Sequence, residues 1–160
     1  MPKLKTNAVR LLDSLGIEYE LLNYEVDSED LSAESTADKL NLVPEQVFKT
    51  LVVKSNTNHV YFAVIPGNAR LDFKALAKLA AERKLEMVTP KELKNLTGYI
   101  RGGVTAIASK KDYPVYVDEI IEVFDRITVS AGVRGTLIML TPQDYLNTVK
   151  GTTGNIAFQG

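Results

Sequence analysis

The sequence contains no cysteine and a single histidine, His59, among its 160 residues. The absence of cysteine excludes disulfide bonds, thiolate metal sites and a cysteine nucleophile. A triad of serine, histidine and aspartate would have to use His59, which follows an asparagine-containing turn, and a zinc site would have too few ligands. The acidic residues at 27–30 are typical of a solvated loop. We therefore expect neither a metal ion nor a cofactor.

The sequence also has no excess of positive charge, because 19 Lys and Arg residues face 20 Asp and Glu residues, for a net charge of −1 at pH 7. It lacks the phosphate-binding motifs GxGxxG and GxxxxGK[ST]. A near-neutral chain has no global field that would hold a polyanion. We expect no DNA binding, and contact with another nucleic acid would have to be local or assisted by a partner.

No apolar run approaches the roughly 18 residues needed to span a bilayer. The first five residues lead into an amphipathic pattern rather than into the apolar region of a signal peptide. We therefore expect a cytoplasmic protein without membrane contact. The composition, with 45% hydrophobic and 24% charged residues, is that of an ordinary globular domain, and the length favours one domain over residues 1–160.

Hydrophobic periodicity predicts short strands interspersed with helices, without a regular β-α-β repeat. This pattern favours a mixed α/β (α+β) fold, in which a curled mixed sheet forms a barrel-like core with peripheral helices. Asp72 and Thr141 are predicted helix N-caps, and either Ser32 or Ser35 is expected to cap the helix through residues 37 and 40. The predicted helices are 7–15, 32–40, 71–82, 90–96 and one beginning at 141, with a short one at 44; the predicted strands are 17–24, 47–53, 59–66, 85–88, 105–108, 115–117, 122–130, 135–140 and 155–158, of which the second and third form a hairpin.

Residues 47–53 read as a central strand, because apolar residues occupy both parities. Strand alternation places Lys49 on one face with Val47, Leu51 and Val53, none of which can pair with an ammonium group. A charge on a packed face is costly unless it is paired or opens onto a cavity. We therefore predict a polar cavity lined by Lys49. The alternative is that the lysine extends past its neighbours to solvent or pairs with a carboxylate on an adjacent strand.

Two glycine-bearing segments, 97–103 and 130–135, are predicted to be loops. Backbone N–H groups in such loops can bind an oxyanion or a phosphate, although glycines also simply form turns. Tyr24 and Tyr99 could line the cavity or belong to the core. The basic residues around the first loop could contact phosphates or form a solvated face: Lys91, Lys94, Arg101, Lys110 and Lys111.

Three motifs together resemble the YbaK/EbsC family of aminoacyl-tRNA deacylases, which are related to the editing domain of bacterial prolyl-tRNA synthetases. The motifs are the strand segment VFKTL at 47–51, the loop GYIRGGVTA at 98–106 with two lysines after it, and the loop SAGVRG at 130–135. Their order and spacing match, and the resemblance extends over roughly residues 8–146.

The resemblance implies hydrolysis of the ester that joins a wrong amino acid to the 3′ adenosine of a tRNA. In the YbaK branch the substrate is cysteine on proline tRNA, and the thiol of that cysteine is thought to attack its own carbonyl and release a thiolactone. By the same resemblance, Lys49 contacts the terminal nucleotide and substrate oxygens, and the Gly102 amide holds the ester carbonyl. A prolyl-tRNA synthetase or an elongation factor is the expected helper in binding the tRNA.

The family pocket implies further substrate-binding positions in this chain. The chain departs from the YbaK branch where a glycine-glycine-x-serine-proline pattern ends in Thr105-Ala106, and where an aspartate is replaced by Leu137. These departures leave the edited amino acid open, and alanine or serine would require attack by water. The substrate-binding positions expected in this chain, departures included, are Tyr24, Thr50, Gly103, Thr105, Ser130, Gly132 and Leu137.

Two other functions fit the same residues. A non-catalytic binding or regulatory module would have kept the fold and the pocket without turnover, because a fold does not fix a function. A hydrolase of small esters or amides, unrelated to tRNA, would gain nothing from the 3′ adenosine. The deacylase is the function that the motifs favour.

Overall fold

A computed structural model describes residues 5–27 and 29–159 of the chain. The described residues form five α-helices, ten β-strands and two 3₁₀ helices. The helices are α1 (Asn7–Ser14), α2 (Ala33–Leu40), α3 (Phe73–Leu79), α4 (Pro90–Thr97) and α5 (Pro142–Val149), with 3₁₀ helices at Pro44–Gln46 and Glu119–Val123. The strands are β1 (Glu20–Asn23), β2 (Phe48–Ser55), β3 (Val60–Pro66), β4 (Arg70–Leu71), β5 (Leu85–Met87), β6 (Val115–Asp118), β7 (Ile127–Ser130), β8 (Thr136–Leu140), β9 (Thr152–Gly154) and β10 (Ala157–Phe158).

The strands form a five-stranded sheet, a three-stranded sheet and a two-stranded ribbon. In the five-stranded sheet the order is β5-β2-β3-β6-β9, with β2 and β3 as the predicted antiparallel hairpin and with β6 parallel to both β3 and β9. The order β1-β8-β7 is antiparallel throughout. The ribbon pairs β4 with β10. The predicted mixed sheet is therefore confirmed.

The two larger sheets meet at the start of β2. Val47 forms a parallel bridge with Thr128 on β7, and the Thr128 hydroxyl donates to the carbonyl oxygen of Gln46 at 3.3 Å. The strands therefore follow one another around a curled surface, with α-helices packed against both of its faces. The curl stays open, and the described strands do not close into a barrel.

Strand β2 is covered on both faces, as its sequence predicts. One face presents Phe48 and Val52 to the larger core, which also contains Val9 and Leu12 of α1 and Tyr145 of α5. The other face presents Val53 to a second apolar cluster that includes residues of α3. Because apolar side chains fill both layers, a charged side chain on this strand has few places where it can be hydrated.

The N-caps predicted at Ser32, Asp72 and Thr141 are confirmed, whereas Ser35 lies inside α2. The side chains of Ser32, Asp72 and Thr141 each accept a hydrogen bond from the backbone N–H three residues further on, at 3.0–3.2 Å. None of the described helices is long and apolar enough to cross a membrane.

Two predicted strands are wrong in whole or in part. Residues 105–108 form turns instead of a strand, because the Thr105 hydroxyl accepts from the Ile107 N–H at 3.2 Å and Ala108 takes a φ of 56°. The strand predicted over 122–130 begins only at Ile127, because the Asp118 carboxylate accepts from Ile120 N–H and starts the 3₁₀ helix. The short strands β4 and β9 were not expected.

The buried carboxylate of Asp118 fastens the C-terminal segment to the sheet. Its Oδ1 accepts from the N–H groups of Ile156 and Ala157, both at 3.0 Å, and its Oδ2 accepts from Ile120 at 3.2 Å. Asp118 is 6% exposed. The segment that forms β10 is thus held by one side chain as well as by its pairing with β4.

We expect Asp118→Ala to lower the free energy of unfolding by about 2–3 kcal/mol, because three backbone donors lose their acceptor. Asp118→Asn keeps an oxygen for Ile156 and Ala157, and we expect a loss of about 1 kcal/mol. Urea denaturation of the two variants checks this order. Equal losses in the two variants would contradict it.

Candidate active site

Lys49 is the second residue of β2 and lies opposite Ile65 of β3. Leu51 and Val53 occupy the same face, as the alternation predicts, and both belong to the second apolar cluster. The lysine is partly buried, and within residues 5–27 and 29–159 its ammonium group forms no hydrogen bond or ion pair. A cation is therefore held next to apolar side chains without a partner in the described part of the chain.

Burial and nearby charges act on Lys49, and among those charges the carboxylate of Glu34 has the largest effect. Burial is the main cause that lowers the pKa of Lys49, and the nearby charges of Arg101 and Arg70 lower the pKa further. The carboxylate of Glu34 opposes this effect. Among the described residues, the cations Lys49, Arg70 and Arg101 thus share one region with the carboxylate of Glu34, and this excess of positive charge favours an anionic ligand there.

A close contact seats helix α2 beside the start of β2. The N–H of Gly67 donates to the carbonyl oxygen of Val47 at 2.7 Å. A Cβ at position 67 would lie 2.0 Å from the Cβ of Ala33, the first residue of α2. Only a glycine lets the helix approach this closely, and this approach brings Glu34 near Lys49.

The two glycine loops pack against each other through their backbones. A Cβ on Gly103 would lie 3.2 Å from the backbone of Val133 and from the nitrogen of Arg134. A Cβ on Gly132 would lie 3.4 Å from the ring of Tyr99, whose pKa is raised by burial. The structure thus brings together the two segments that the sequence predicted as candidate anion-binding loops.

Gly102 lies at the exposed tip of the first loop, in a turn closed by the Gly103 N–H, which donates to the Ile100 carbonyl at 2.9 Å. Its φ of 87° is in the left-handed region that favours glycine. Among the described residues, no acceptor receives a hydrogen bond from the Gly102 N–H. This amide is therefore available to a ligand.

The second loop has fewer backbone N–H groups available to a ligand, because one of its own side chains accepts a hydrogen bond from one of them. The Ser130 hydroxyl accepts from the Gly132 N–H at 3.0 Å. Thr105 is fully buried, and its hydroxyl is bonded to the Ile107 N–H. Ser130 and Thr105 therefore shape the two loops, and Gly103 allows their backbones to approach closely.

The other predicted substrate-binding residues lie on different sides of the strands. Thr50 points to the face of β2 opposite Lys49, with its hydroxyl near Tyr145 of α5. Leu137 is buried against Ala37 of α2, and Tyr24 packs partly buried in the same cluster. The structure thus places Leu137 and Tyr24 beside α2, and it separates Thr50 from Lys49.

Sequence reasoning missed three charged residues at the site: Glu34, Arg70 and Arg134. Arg134 donates from Nε to the carbonyl oxygen of Arg101 at 2.7 Å and so joins the two loops. The predicted N-cap at Ser32 was the available signal for Glu34, because it puts that residue in the first helical turn. The remaining basic residues around the first loop are exposed: Lys91, Lys94, Lys110 and Lys111.

Two surface grooves, of about 190 and 400 Å³, are present, and Lys49 lines neither of them. The smaller is lined by residues that include Glu18 and Arg126, and the larger by residues that include Val123 and Phe158. The cavity that we predict around Lys49 therefore stays a prediction. The described part of the chain contains no group of three or more His, Cys, Asp or Glu residues arranged to hold a metal.

Both sequence comparisons identify relatives connected with aminoacyl-tRNA editing. The family model of the aminoacyl-tRNA editing domain matches residues 28–148. EbsC of Enterococcus faecalis, described as a candidate Cys-tRNA(Pro)/Cys-tRNA(Cys) deacylase, is 41% identical over 152 residues, which cover 95% of this chain and 93% of EbsC. The match therefore extends over nearly the whole of both proteins.

Solved structures share the fold. The hypothetical protein APE2540 superimposes with a TM-score of 0.87 at 23% identity, covering 96% of this chain and all (100%) of that protein. A candidate trans-editing enzyme for prolyl-tRNA synthetase superimposes with a TM-score of 0.80 at 22% identity, covering 98% of this chain and 99% of that one. At these identities the likeness shows the fold alone.

We expect the pKa of Lys49 to lie below the ordinary lysine value of 10.5, because burial disfavours its charged form. Glu34→Gln should lower this pKa further, and Arg101→Met should raise it. Nuclear magnetic resonance titration of the lysine Cε signals measures these shifts. Lys54, on the same strand, is the internal control, since its hydrogen bond to Glu92 raises its pKa.

The same shift has a consequence for stability. Because the folded state disfavours the charged form of Lys49, the penalty is present below the lowered pKa and disappears as the pH rises through it toward 10.5. As the pH rises over this range, the free energy of unfolding of the wild type should therefore increase relative to that of Lys49→Met. A constant difference between the two proteins would contradict the expected burial effect.

Proposed function

The chain belongs to the aminoacyl-tRNA editing domain family, and from this premise we propose that it is a trans-acting deacylase that removes a wrongly attached amino acid from the 3′ end of a tRNA. The observation that carries the proposal is the partly buried Lys49, which has no partner among the described residues and lies near Arg70 and Arg101. A cationic site of this kind suits the terminal phosphate and ribose oxygens of a tRNA.

Lys49 would bind oxygens of the terminal nucleotide and stabilise negative charge as it develops on the ester. Arg70 and Arg101 would add local positive charge that the whole chain, with a net charge of −1, does not supply. The affinity of the isolated protein for tRNA should then be weak. A prolyl-tRNA synthetase or an elongation factor would deliver the substrate.

The N–H of Gly102 would donate to the carbonyl oxygen of the scissile ester. It lies at an exposed loop tip and has no acceptor among the described residues, which is what an oxyanion donor requires before substrate binds. In this mechanism the protein positions and polarises the ester and contributes no nucleophile of its own.

The attacking group would come from the substrate or from water. With a cysteinyl ester, the substrate sulfur forms a bond to its own carbonyl carbon and the ester C–O bond breaks. A thiolactone leaves, and the thiol proton ends on the freed ribose oxygen. With alanine or serine, water attacks and the free amino acid leaves. The likeness to EbsC supports cysteine on proline tRNA as the first substrate to test.

A non-catalytic binding module is the second candidate, and the position of Leu137 favours it. This residue stands where the YbaK branch has an aspartate, and it is 5% exposed in an apolar cluster with Val47. An apolar side chain there removes a hydrogen-bonding group that would hold a polar substrate. The module would bind an aminoacyl-adenosine mimic and leave its ester intact.

The test is deacylation of proline tRNA charged with cysteine, alanine, serine or proline. We expect the wild type to deacylate one mischarged species and to spare prolyl-tRNA. Lys49→Ala should lower the rate by about 10²–10³-fold, because it removes a group that stabilises the transition state. Lys54→Ala, a lysine of the same strand on the opposite face, is the matched control and should stay within about threefold of the wild type.

Thermal unfolding of the same variants separates function from structure. Lys49→Ala should be at least as stable as the wild type, because it removes a partly buried charge without a partner. An unfolded variant would instead give Lys49 a structural role. Binding of an aminoacyl-adenosine mimic without turnover of any charged tRNA would support the binding module. Turnover of free aminoacyl esters as fast as that of charged tRNA would support a hydrolase unrelated to tRNA.

A further inference from the structure

We propose that Arg134 is a positioning residue that fixes the direction of the Gly102 N–H. Besides the backbone contact at Gly103, a side-chain hydrogen bond joins the two glycine loops, from Arg134 Nε to the Arg101 carbonyl oxygen at 2.7 Å. Arg101 and Gly102 share one peptide group. A bond to the carbonyl of that peptide therefore determines where its N–H points.

The peptide in question is the central one of a β-turn over residues 100–103. The turn is closed by the Gly103 N–H and the Ile100 carbonyl at 2.9 Å. Gly102 has a φ of 87°, whereas Arg101 is not among the residues with positive φ. These values fit a type II turn, whose third position requires a positive φ and hence favours glycine.

The central peptide of such a turn can rotate. Types I and II differ mainly in the orientation of this peptide, and glycine adopts a negative φ as readily as a positive one. The local sequence therefore does not determine the orientation of the peptide group between Arg101 and Gly102. A flip would exchange the directions of the Arg101 carbonyl and the Gly102 N–H, since the two point to opposite sides of a planar trans peptide.

Arg134 opposes this flip from a fixed position. A Cβ on Gly102 would lie 3.2 Å from Arg134 Nε and 3.4 Å from its Cγ, so the arginine stem lies directly against the turn. The backbone nitrogen of Arg134 also lies within 3.2 Å of where a Cβ on Gly103 would be. The Arg134 side chain is thus attached to a backbone segment that itself contacts the first loop.

The consequence for the site is that the Gly102 N–H faces away from Arg134 and remains without an acceptor among the described residues. The use of this amide by an ester carbonyl rests on the proposed function, whereas the orientation of the turn does not. Arg134 would accelerate deacylation without contacting the substrate.

The experiment compares Arg134→Gln with Arg134→Met. The glutamine Nε2 lies as many bonds from Cα as the arginine Nε, so it can donate to the Arg101 carbonyl without a positive charge. The methionine Cε occupies the same place and cannot donate. Residual dipolar couplings measure the orientation of the Gly102 N–H in each protein, and steady-state kinetics on the tRNA species that the wild type deacylates measure kcat and KM.

We expect the glutamine variant to keep the wild-type N–H orientation. We expect the methionine variant to lose it, with kcat lower by about 10²-fold and with little change in KM, because a misplaced donor affects the transition state more than binding. An unchanged orientation in Arg134→Met would overturn the proposal. Equal losses of activity in both variants would also overturn it, since they would assign the effect to the charge of Arg134.

If the wild type deacylates none of the charged tRNAs, the proposed function fails while the dipolar couplings still decide whether Arg134 orients the amide. Thermal unfolding of both variants verifies that they are folded at the temperature of the measurement. A methionine variant that is too unstable for this is replaced by Arg134→Leu, which also lacks a donor, and the same comparison applies.

Discussion

The backbone contact between the two glycine loops is the constraint on which the site depends. Gly103 leaves little room for a side chain where the loops approach each other, because a Cβ there would lie 3.2 Å from the backbone of Val133 and Arg134. This approach puts Arg134 within hydrogen-bonding distance of Arg101. The position of Arg101, and with it part of the positive charge around Lys49, follows from that contact.

Much of the fold could be predicted because its signals are local. The helix caps at Ser32, Asp72 and Thr141 need only a side-chain oxygen three residues before a backbone donor, and all three occur in the structure. The central strand and its hairpin follow from apolar residues on both parities and from a short polar turn. The placement of Lys49 on a face of apolar residues follows from the same alternation.

The errors have equally physical causes. Residues 105–108 have the composition of a strand, but a bond between the Thr105 hydroxyl and the Ile107 N–H competes with strand pairing. The two- and three-residue strands β4 and β9 are held by distant pairing partners and have no periodicity of their own. The bond between Arg134 and Arg101 spans 33 residues, and no local pattern indicates it. Most of the site is therefore assembled by tertiary packing that the sequence does not display.

The tight seat of helix α2 on Gly67 also limits how the site can be altered. Position 67 accepts no side chain, because a Cβ there would collide with Ala33 and would lie 2.6 Å from the Val47 oxygen. The helix that carries Glu34 can therefore be neither moved outward nor repacked by a substitution at its contact point. A protein engineer who wants a different charge balance at Lys49 would have to replace Glu34 itself. The spacing between α2 and β2 would stay the same in such a design.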